Sequence, residues 1–405
     1  MEPTEPRRPT GWAGLGALLA LGATRNVVRR ITTTTGEPAP EVPAPATPPS
    51  QARLVRWVAL GMVLTLVITG VTVVVARAGT GTGSPSAWDP RVAELARFVE
   101  RERGLTFRHP VRTDFLSDRD FRARVTNDAA PTAEDTASLH HFEGLFRALG
   151  LVEGKLDLRQ ATNQLAGEGV IGLYSPEEDR VFVRGDRITP GMRPTIVHEL
   201  THALQGQHFD LRQTFHTSGE DTAFTSLVEA DAMRIEDAYV QSLSADERKV
   251  VDAEEQKQAG EADLAGVPQI LTELFSLPYV FGPPFIDAIA ADGGNQAVDR
   301  AFAKPPTTEE NIVDPTSYLA GQRPSKVAAP KLGTGEKAVD EPDDFGMLSL
   351  LLVLGERLAF PRAWAAVDGW KGDASVAYTS KGSDCIRVRT ELDTVDDATE
   401  LASAV

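Results

Sequence analysis

Two histidines lie four residues apart in the stretch TIVHELTHAL, which spans residues 195–204. The first, His198, is followed directly by Glu199, and the second is His202. Residues four apart on a helix share one face, so both rings can direct a nitrogen at one ion. Glu199 lies about 100° round the helix, where it can reach a water on that ion. The spacing predicts a metal site, whereas the alternative is an amphipathic helix that happens to carry two histidines.

A catalytic zinc ion takes three protein ligands and keeps one position open for water. Glu229, on the next predicted helix, lies beside small residues that let another helix approach; the alternative is a solvated face. His208 lies ten residues after His198, as in the metzincin pattern, but Gln205 replaces the glycine of that pattern. Asp231 falls within an apolar helix stripe, where a buried carboxylate needs a partner. It is predicted to accept a ligand histidine N–H, to be the third ligand, or to be a buried structural residue.

The elements that must position these side chains are two helices and a hairpin. A plausible N-cap at Thr189, followed by Pro190, predicts a helix from about residue 190 to about 206. The pattern Ser-Gly-Glu-Asp at 218–221 resembles a capping box and predicts a second helix to about Leu243. Two apolar runs around a turn-like SPEED sequence predict a β-hairpin of Val170–Tyr174 and Arg180–Arg184.

The remaining patterns predict an α+β chain that is mostly helical with a small sheet. Apolar residues at helical spacing predict further helices at Arg91–Arg103, Asp118–Val125 and Ala133–Leu151, with a strand at Val111–Leu116. Residues 336–405 are predicted to form a small α+β subdomain. Its predicted elements are an apolar helix at Phe345–Leu358, strands at Ser375–Thr379 and Cys385–Thr390, and a last helix capped by Thr394.

Charge and cysteine content exclude two classes of function. The 405 residues carry a net charge of −17; residues 1–76 hold seven Arg and four Glu, which leaves 34 basic and 54 acidic residues in the remainder. This acidic remainder, of net charge −20, argues against nucleic-acid binding, which needs a basic surface. With Cys385 alone, neither an internal disulfide nor a cysteine-based zinc site can form.

An uncharged run of 20 residues, Trp57–Ala76, predicts one transmembrane helix. Seven arginines precede it and only two follow it within about 20 residues, so the positive-inside rule predicts a cytoplasmic N-terminus. The predicted organisation is a Pro-rich disordered cytoplasmic tail at 1–53, the membrane helix at 54–77 and a flexible tether at 78–88. An extracytoplasmic catalytic domain at 89–335 and the subdomain at 336–405 complete it.

The stretch HELTHALQGQHFDL, followed by VEADA at 228–232, resembles the gluzincin-type zinc metallopeptidases. It is also similar to a group of bacterial membrane-anchored or secreted HExxH proteins. Further similar stretches are FVERERGLTFRHPV, LPYVFGPPFIDAI, KPPTTEENIVDP and GWKGD. The resemblance implies a zincin-like fold with one Zn²⁺ on His198, His202 and Glu229, and Glu199 as the base. Three positions depart from those families: Ala230 replaces a glycine, Asp314 replaces a histidine before proline, and Met233 replaces an acid.

The resulting functional prediction is a membrane-anchored zinc peptidase that hydrolyses peptide or protein substrates outside the cytoplasm. Arg180–Arg184 resembles the edge strand along which zincins bind an extended substrate. A non-catalytic membrane-tethered binding or scaffold protein with a zincin fold, and a zinc hydrolase of non-peptide substrates, are the alternatives. The side chains predicted as candidate oxyanion donors are Tyr174, His216, Tyr239 and Tyr279.

The topology can be tested on intact cells. We expect protease added outside to digest residues 78–405 and to spare the N-terminal tail, because Trp57–Ala76 and its flanking arginines orient the chain. Epitope tags at the two ends provide the measurement. A protected C-terminal domain would reverse the predicted orientation.

Overall fold

The computed structural model describes residues 84–126 and 131–405. It is 56% helical with two small sheets, which confirms the predicted α+β class. The predicted tail, membrane helix and most of the tether lie outside the described residues. The helices are α1 (Ala93–Arg103), α2 (Asp118–Val125), α3 (Ala133–Ala148), α4 (Leu158–Gly169), α5 (Arg193–His208), α6 (Ser218–Ser242), α7 (Ala245–Glu261), α8 (Gln269–Ala303), α9 (Glu309–Val313), α10 (Pro315–Leu319), α11 (Met347–Gly355), α12 (Phe360–Val367) and α13 (Val395–Ala404). The strands are β1 (Arg112–Leu116), β2 (Gly172–Ser175), β3 (Arg180–Arg184), β4 (Lys337–Ala338), β5 (Trp370–Ser380) and β6 (Ser383–Leu392).

Helix α5 carries the HELTH sequence and is buried on nearly every side. A 3₁₀ turn at Pro190–Met192 leads into it, and Pro194 sits in its first turn, where no helical hydrogen bond is lost. Its apolar side chains, among them Ile196 and Leu200, are at most 1% exposed. Full burial of such a side chain stabilises the fold by roughly 1.5–3 kcal/mol. The core therefore fixes α5, and with it the backbone of the two histidines.

Helix α6 begins at Ser218 and packs against both α5 and α8. Its cap is Thr217, whose side chain accepts the backbone N–H of Glu220, one residue before the predicted capping box. The two backbone N–H groups between Thr217 and Glu220 donate to carboxylates from the C-terminal region. Ser218 donates to Asp343, and Gly219 donates to Asp344. The start of α6 therefore combines a local cap with hydrogen-bond acceptors from far along the chain.

The first sheet lies beside α5 and has the strand order β1-β3-β2. Strand β3 pairs in parallel with β1 and antiparallel with β2, so the predicted hairpin is confirmed. The prediction that Arg180–Arg184 is an edge strand is wrong, because this strand is hydrogen-bonded on both sides. Of the two strands beside it, β2 is the one next to α5: a Cβ at Gly172 would lie 3.0 Å from Glu199 Cγ.

Helix α8 contacts α6 so closely that only glycine fits at one point. A Cβ on Gly282 would lie 2.7 Å from the Ser226 carbonyl oxygen and 2.9 Å from the Ala230 Cβ. Non-helical backbone at Gly293 and Gly294 interrupts α8. Within the described residues, α8 alone is long and apolar enough to cross a membrane, by length and composition only. Its packing on α6 accounts for that apolarity as a core property.

The C-terminal residues add a second sheet and bind to the rest of the chain through buried carboxylates. The β5–β6 hairpin is longer than predicted, and the Thr394 capping box is present. Asp373 accepts the backbone N–H of Phe345, just before α11. Glu309, which is 4% exposed, accepts the Leu348 N–H in the first turn of α11 at 2.8 Å. The bond from Leu348 satisfies a donor that the helix itself leaves free.

Glu309 is expected to make stability depend on pH. Burial raises the pKa of Glu309 to about 8, against hydrogen bonds that lower it. A carboxyl whose pKa is raised in the folded protein makes its full contribution to stability at pH values below its pKa in the unfolded chain, near 4.5. This contribution is lost as the pH rises through about 8. One pKa unit corresponds to about 1.4 kcal/mol. Between pH 5 and pH 8 we therefore expect the wild type to lose on the order of 3 kcal/mol more unfolding free energy than Glu309→Gln.

Urea titrations at the two pH values, on the full-length protein in non-ionic detergent, measure this difference. The exposed Glu341→Gln is the matched control and should follow the wild type. Equal pH dependence of the wild type and Glu309→Gln would contradict a raised pKa at Glu309.

Candidate metal centre

Three buried side chains meet between α5 and α6, and together they could hold a metal ion. They are His198, His202 and Glu229, whose ligand atoms lie within 4.8 Å of one another. The two histidine Nε2 atoms are 2.9 Å apart, and they lie 3.2 Å and 3.5 Å from Glu229 Oε2. Ligand atoms of a tetrahedral zinc site, each about 2.0–2.1 Å from the ion, lie roughly 3.3–3.4 Å apart. The observed spacings therefore fit such an ion after shifts of a few tenths of an ångström.

The other nitrogen of each imidazole faces an oxygen acceptor. His198 Nδ1 lies 3.1 Å from Glu236 Oε2, and His202 Nδ1 lies 2.9 Å from Gln205 Oε1. The amide oxygen of Gln205 and the ionised carboxylate of Glu236 can only accept, so each Nδ1 is the donor. Each Nε2 is then left to face the other and Glu229. Supporting acceptors of this kind orient histidines that bind metals.

Two unprotonated Nε2 atoms at 2.9 Å repel unless a cation lies between them. Burial opposes the charged form of His202, but attraction to Glu229 and Glu199 outweighs burial and raises its pKa to about 9. Burial alone would raise the pKa of Glu229, whereas attraction to His202 and hydrogen bonds from both histidines lower it to about 2. The group therefore attracts a positive charge, which a metal ion can supply as well as a proton.

Glu199 lies beside this three-residue group, on the side of α5 next to β2. Its Oε2 accepts the backbone N–H of Tyr174 at 2.7 Å. Burial raises the pKa of Glu199 to about 7, although His202 and the Tyr174 N–H lower it. A carboxylate whose pKa lies near neutrality can both take and return a proton in one reaction cycle.

The four predicted oxyanion donors are found in different surroundings, and Tyr279 is the one beside this group. Burial and the Glu229 carboxylate raise the pKa of Tyr279 well above its ordinary value, so its hydroxyl stays protonated. The Tyr174 hydroxyl instead donates to Asp179 at 3.1 Å, at an open cleft that Gly206 and Gln207 of α5 also line. Tyr239 packs edge-on against Phe98, and His216 lies on an exposed loop where its backbone N–H donates to Glu220.

The two other predicted candidates for the metal lie outside the three-residue group. His208 is at the end of α5, and its Nε2 is 2.8 Å from the Thr106 carbonyl oxygen. Asp231 is fully buried and accepts from Gln205 and Arg103 through Oδ2. Burial alone would raise the pKa of Asp231, but attraction to Arg103 and Arg234 lowers it. Gln205 rather than Asp231 faces His202 Nδ1, so the predicted direct contact with a histidine N–H is corrected.

Sequence reasoning missed Glu236 and Gln205. Glu236 lies seven residues, or two helical turns, after Glu229, whereas the prediction considered only the position four residues on, which is Met233. Gln205 lies three residues after His202 and was considered only as a replaced glycine. Helical spacing was the signal for both, because residues three, four and seven apart lie on the same face of a helix as the ligands.

Comparisons with known proteins cover only the end of the chain. A family model described as a domain of unknown function (DUF8575) matches residues 336–405. The match spans the segment predicted as the C-terminal subdomain and contains none of the residues of the candidate metal centre. No curated protein and no solved structure matches the chain.

Substitution of each ligand tests the metal centre. We expect His198→Ala, His202→Ala and Glu229→Ala each to lower zinc affinity by more than the roughly 10–100-fold that loss of a supporting residue costs. Elemental analysis after dialysis against buffered zinc measures the occupancy. His208→Ala is the matched control, because it removes a histidine of the same helix, and it should keep wild-type zinc content. A site emptied by His208→Ala but not by Glu229→Ala would refute this ligand set.

Proposed function

We propose that this protein is a membrane-anchored zinc metallopeptidase that hydrolyses extracytoplasmic peptide or protein substrates. The observation that carries the proposal is the buried group of His198, His202 and Glu229 with Glu199 beside it. Three metal-binding side chains and a carboxylate base are the parts that a metal-dependent hydrolase needs. The resemblance of HELTH and VEADA to gluzincin sequences supports the same reaction class.

A zincin-like architecture is part of the proposal. Three features support it: α5 carries both histidines and the base, α6 carries the third ligand, and a small sheet lies against α5. The edge strand next to the base is β2, so this strand replaces Arg180–Arg184 as the proposed docking edge. An extended peptide would add to that edge through main-chain hydrogen bonds.

The proposed reaction is the attack of water on a peptide carbonyl. Zinc bound to the three ligands would supply a Lewis acid for the carbonyl and the water. Glu199 takes the proton of the attacking water and returns it to the leaving amine. Tyr279, which keeps its proton beside Glu229, donates a hydrogen bond to the developing oxyanion. Glu236 and Gln205 hold the two imidazoles in place during these steps.

The burial of the group favours a second candidate function. His198 and His202 are each 2% exposed, Glu199 is 5% exposed and Glu229 is 1% exposed. A peptidase must admit a polypeptide to these atoms, so β2 or a neighbouring segment has to move before catalysis. A metal held without access to substrate would instead stabilise a non-catalytic, membrane-tethered binding or scaffold protein, as in structural zinc sites.

Membrane attachment is proposed from the sequence. The uncharged run Trp57–Ala76 with its arginine asymmetry supports a single span, a cytoplasmic N-terminus and an extracytoplasmic catalytic region. In that arrangement, substrates are proteins or peptides near the outer membrane surface. No nucleic-acid partner is proposed, because nucleic acid carries the same negative charge as the acidic remainder of the chain.

Glu199→Gln separates the two candidate functions. Glutamine is nearly isosteric and leaves the ligands intact, but it cannot accept the proton of water. We expect zinc occupancy to persist and hydrolysis of casein to fall by roughly 10²–10⁴-fold. Chelation should abolish wild-type hydrolysis, and added zinc should restore it.

The exposed Glu153→Gln is the matched control and should hydrolyse casein at the wild-type rate. Activity of Glu199→Gln equal to the wild type would place the reaction elsewhere. A zinc-loaded wild type that cleaves nothing in a broad peptide library would favour the non-catalytic candidate.

A further inference from the structure

The orientation of the Gln205 side chain is fixed by two acceptors. Gln205 is fully buried on α5, and its Nε2 donates to the Val228 carbonyl oxygen at 3.1 Å and to Asp231 Oδ2 at 3.0 Å. An amide nitrogen only donates and an amide oxygen only accepts. If the amide were flipped, Gln205 Oε1 would lie against the oxygens of Val228 and Asp231, and none of the three could donate. The oxygen of Gln205 must therefore point the other way, toward His202.

This orientation determines the protonation pattern of His202. Its Nδ1 lies 2.9 Å from Gln205 Oε1 and has to donate a proton to that oxygen. Its Nε2 then presents a lone pair toward His198 and Glu229 when the ring is neutral. A histidine binds a metal only through an unprotonated nitrogen. Gln205 thus selects which nitrogen of His202 is available.

Asp231 is held in place by a residue from another helix. Arg103, the last residue of α1, is 0% exposed, and its Nε donates to Asp231 Oδ2 at 2.8 Å. Asp231 Oδ2 therefore accepts from both Arg103 and Gln205. The other oxygen, Oδ1, accepts from Arg234 at 2.9 Å and does not contact Gln205. A continuous chain of hydrogen bonds leads from α1 through α6 and α5 to His202.

We propose that Arg103, Asp231 and Gln205 form a positioning relay that presents the Nε2 lone pair of His202 to the metal. The relay rests on the metal centre of the proposed function and goes beyond it in two ways. It makes Gln205 a determinant of metal affinity, and it makes α1 a part of the metal site. Histidines of metal sites are more often held by a carboxylate or a backbone carbonyl, so the neutral amide moves the anionic charge one hydrogen bond further from the ring.

The test compares Gln205→Met with Gln207→Met in the full-length protein in detergent. Gln207 is the matched control because it is a buried glutamine of the same helix, and its side chain bonds to the Arg108 and His109 backbone rather than to a histidine ligand. We expect Gln205→Met to weaken zinc binding about 10–100-fold in competition with a chromophoric chelator. Gln207→Met should stay within about threefold of the wild type, since supporting-residue effects need contact with a ligand.

A spectroscopic measurement separates positioning from a general loss of stability. With Co²⁺ in place of zinc, the wild type should give two exchangeable, hyperfine-shifted ring N–H signals, one from each metal-bound histidine. Gln205→Met should lose the His202 signal, or exchange it much faster, and should keep the His198 signal on Glu236. The melting temperature of each metal-free variant measures its loss of stability separately, and the His202 signal should be lost in Gln205→Met at temperatures where that variant is fully folded.

Asp231→Asn and Arg234→Met provide a second pair if Gln205→Met does not fold. Asp231→Asn keeps the shape but removes the charge at the middle of the relay, and it should weaken zinc binding. Arg234→Met removes the ion pair on Oδ1 and leaves Oδ2 intact, so it should bind zinc like the wild type. Equal zinc affinity in both members of either pair, with both ring signals intact, would overturn the relay. A wild type that binds neither Zn²⁺ nor Co²⁺ would refute the metal centre itself, which is a different result.

Discussion

The contact between α5 and α6 is the constraint on which the site depends. It holds two imidazole nitrogens 2.9 Å apart next to a buried carboxylate, an arrangement that is stable only with a positive charge in the middle. Each imidazole is held from behind by an oxygen acceptor, so the rings cannot turn to relieve the repulsion. Because this repulsion and the buried negative charge are relieved when a cation binds, a preformed site of this kind favours cation binding.

The rest of the fold serves to keep these two helices in place. The α6–α8 contact at Gly282 leaves no room for a side chain, which sets the distance of α8 from the helix of Glu229. On the opposite side, Arg103 of α1 neutralises Asp231 inside the core. Breaking a buried ion pair by removing one partner typically costs about 3–5 kcal/mol. Substitutions that disturb the packing of α8 or the charge of Arg103 in α1 would therefore displace the side chains of the candidate metal centre.

The sequence was sufficient for the parts of the site that depend on local periodicity. The spacing of His198 and His202 required a helix, and the helix and its buried faces are present. The strand order was not predictable, because β1 pairs with β3 across about 65 residues of chain and thereby leaves β2 at the edge. Glu236 and Gln205 could have been found from helical spacing, but their side-chain partners depend on the angle between α5 and α6. The first two N–H groups of α6 are satisfied by carboxylates 125 residues away, which local sequence does not reveal.

Those distant carboxylates have a consequence for the order in which the protein matures. The first free N–H groups of α6 are satisfied by Asp343 and Asp344, which are made after more than four-fifths of the chain. The helix that carries Glu229 therefore completes its hydrogen bonding only when the last part of the chain has been synthesised and has docked. The group of His198, His202 and Glu229 would then reach its final geometry only after the C-terminal residues have docked.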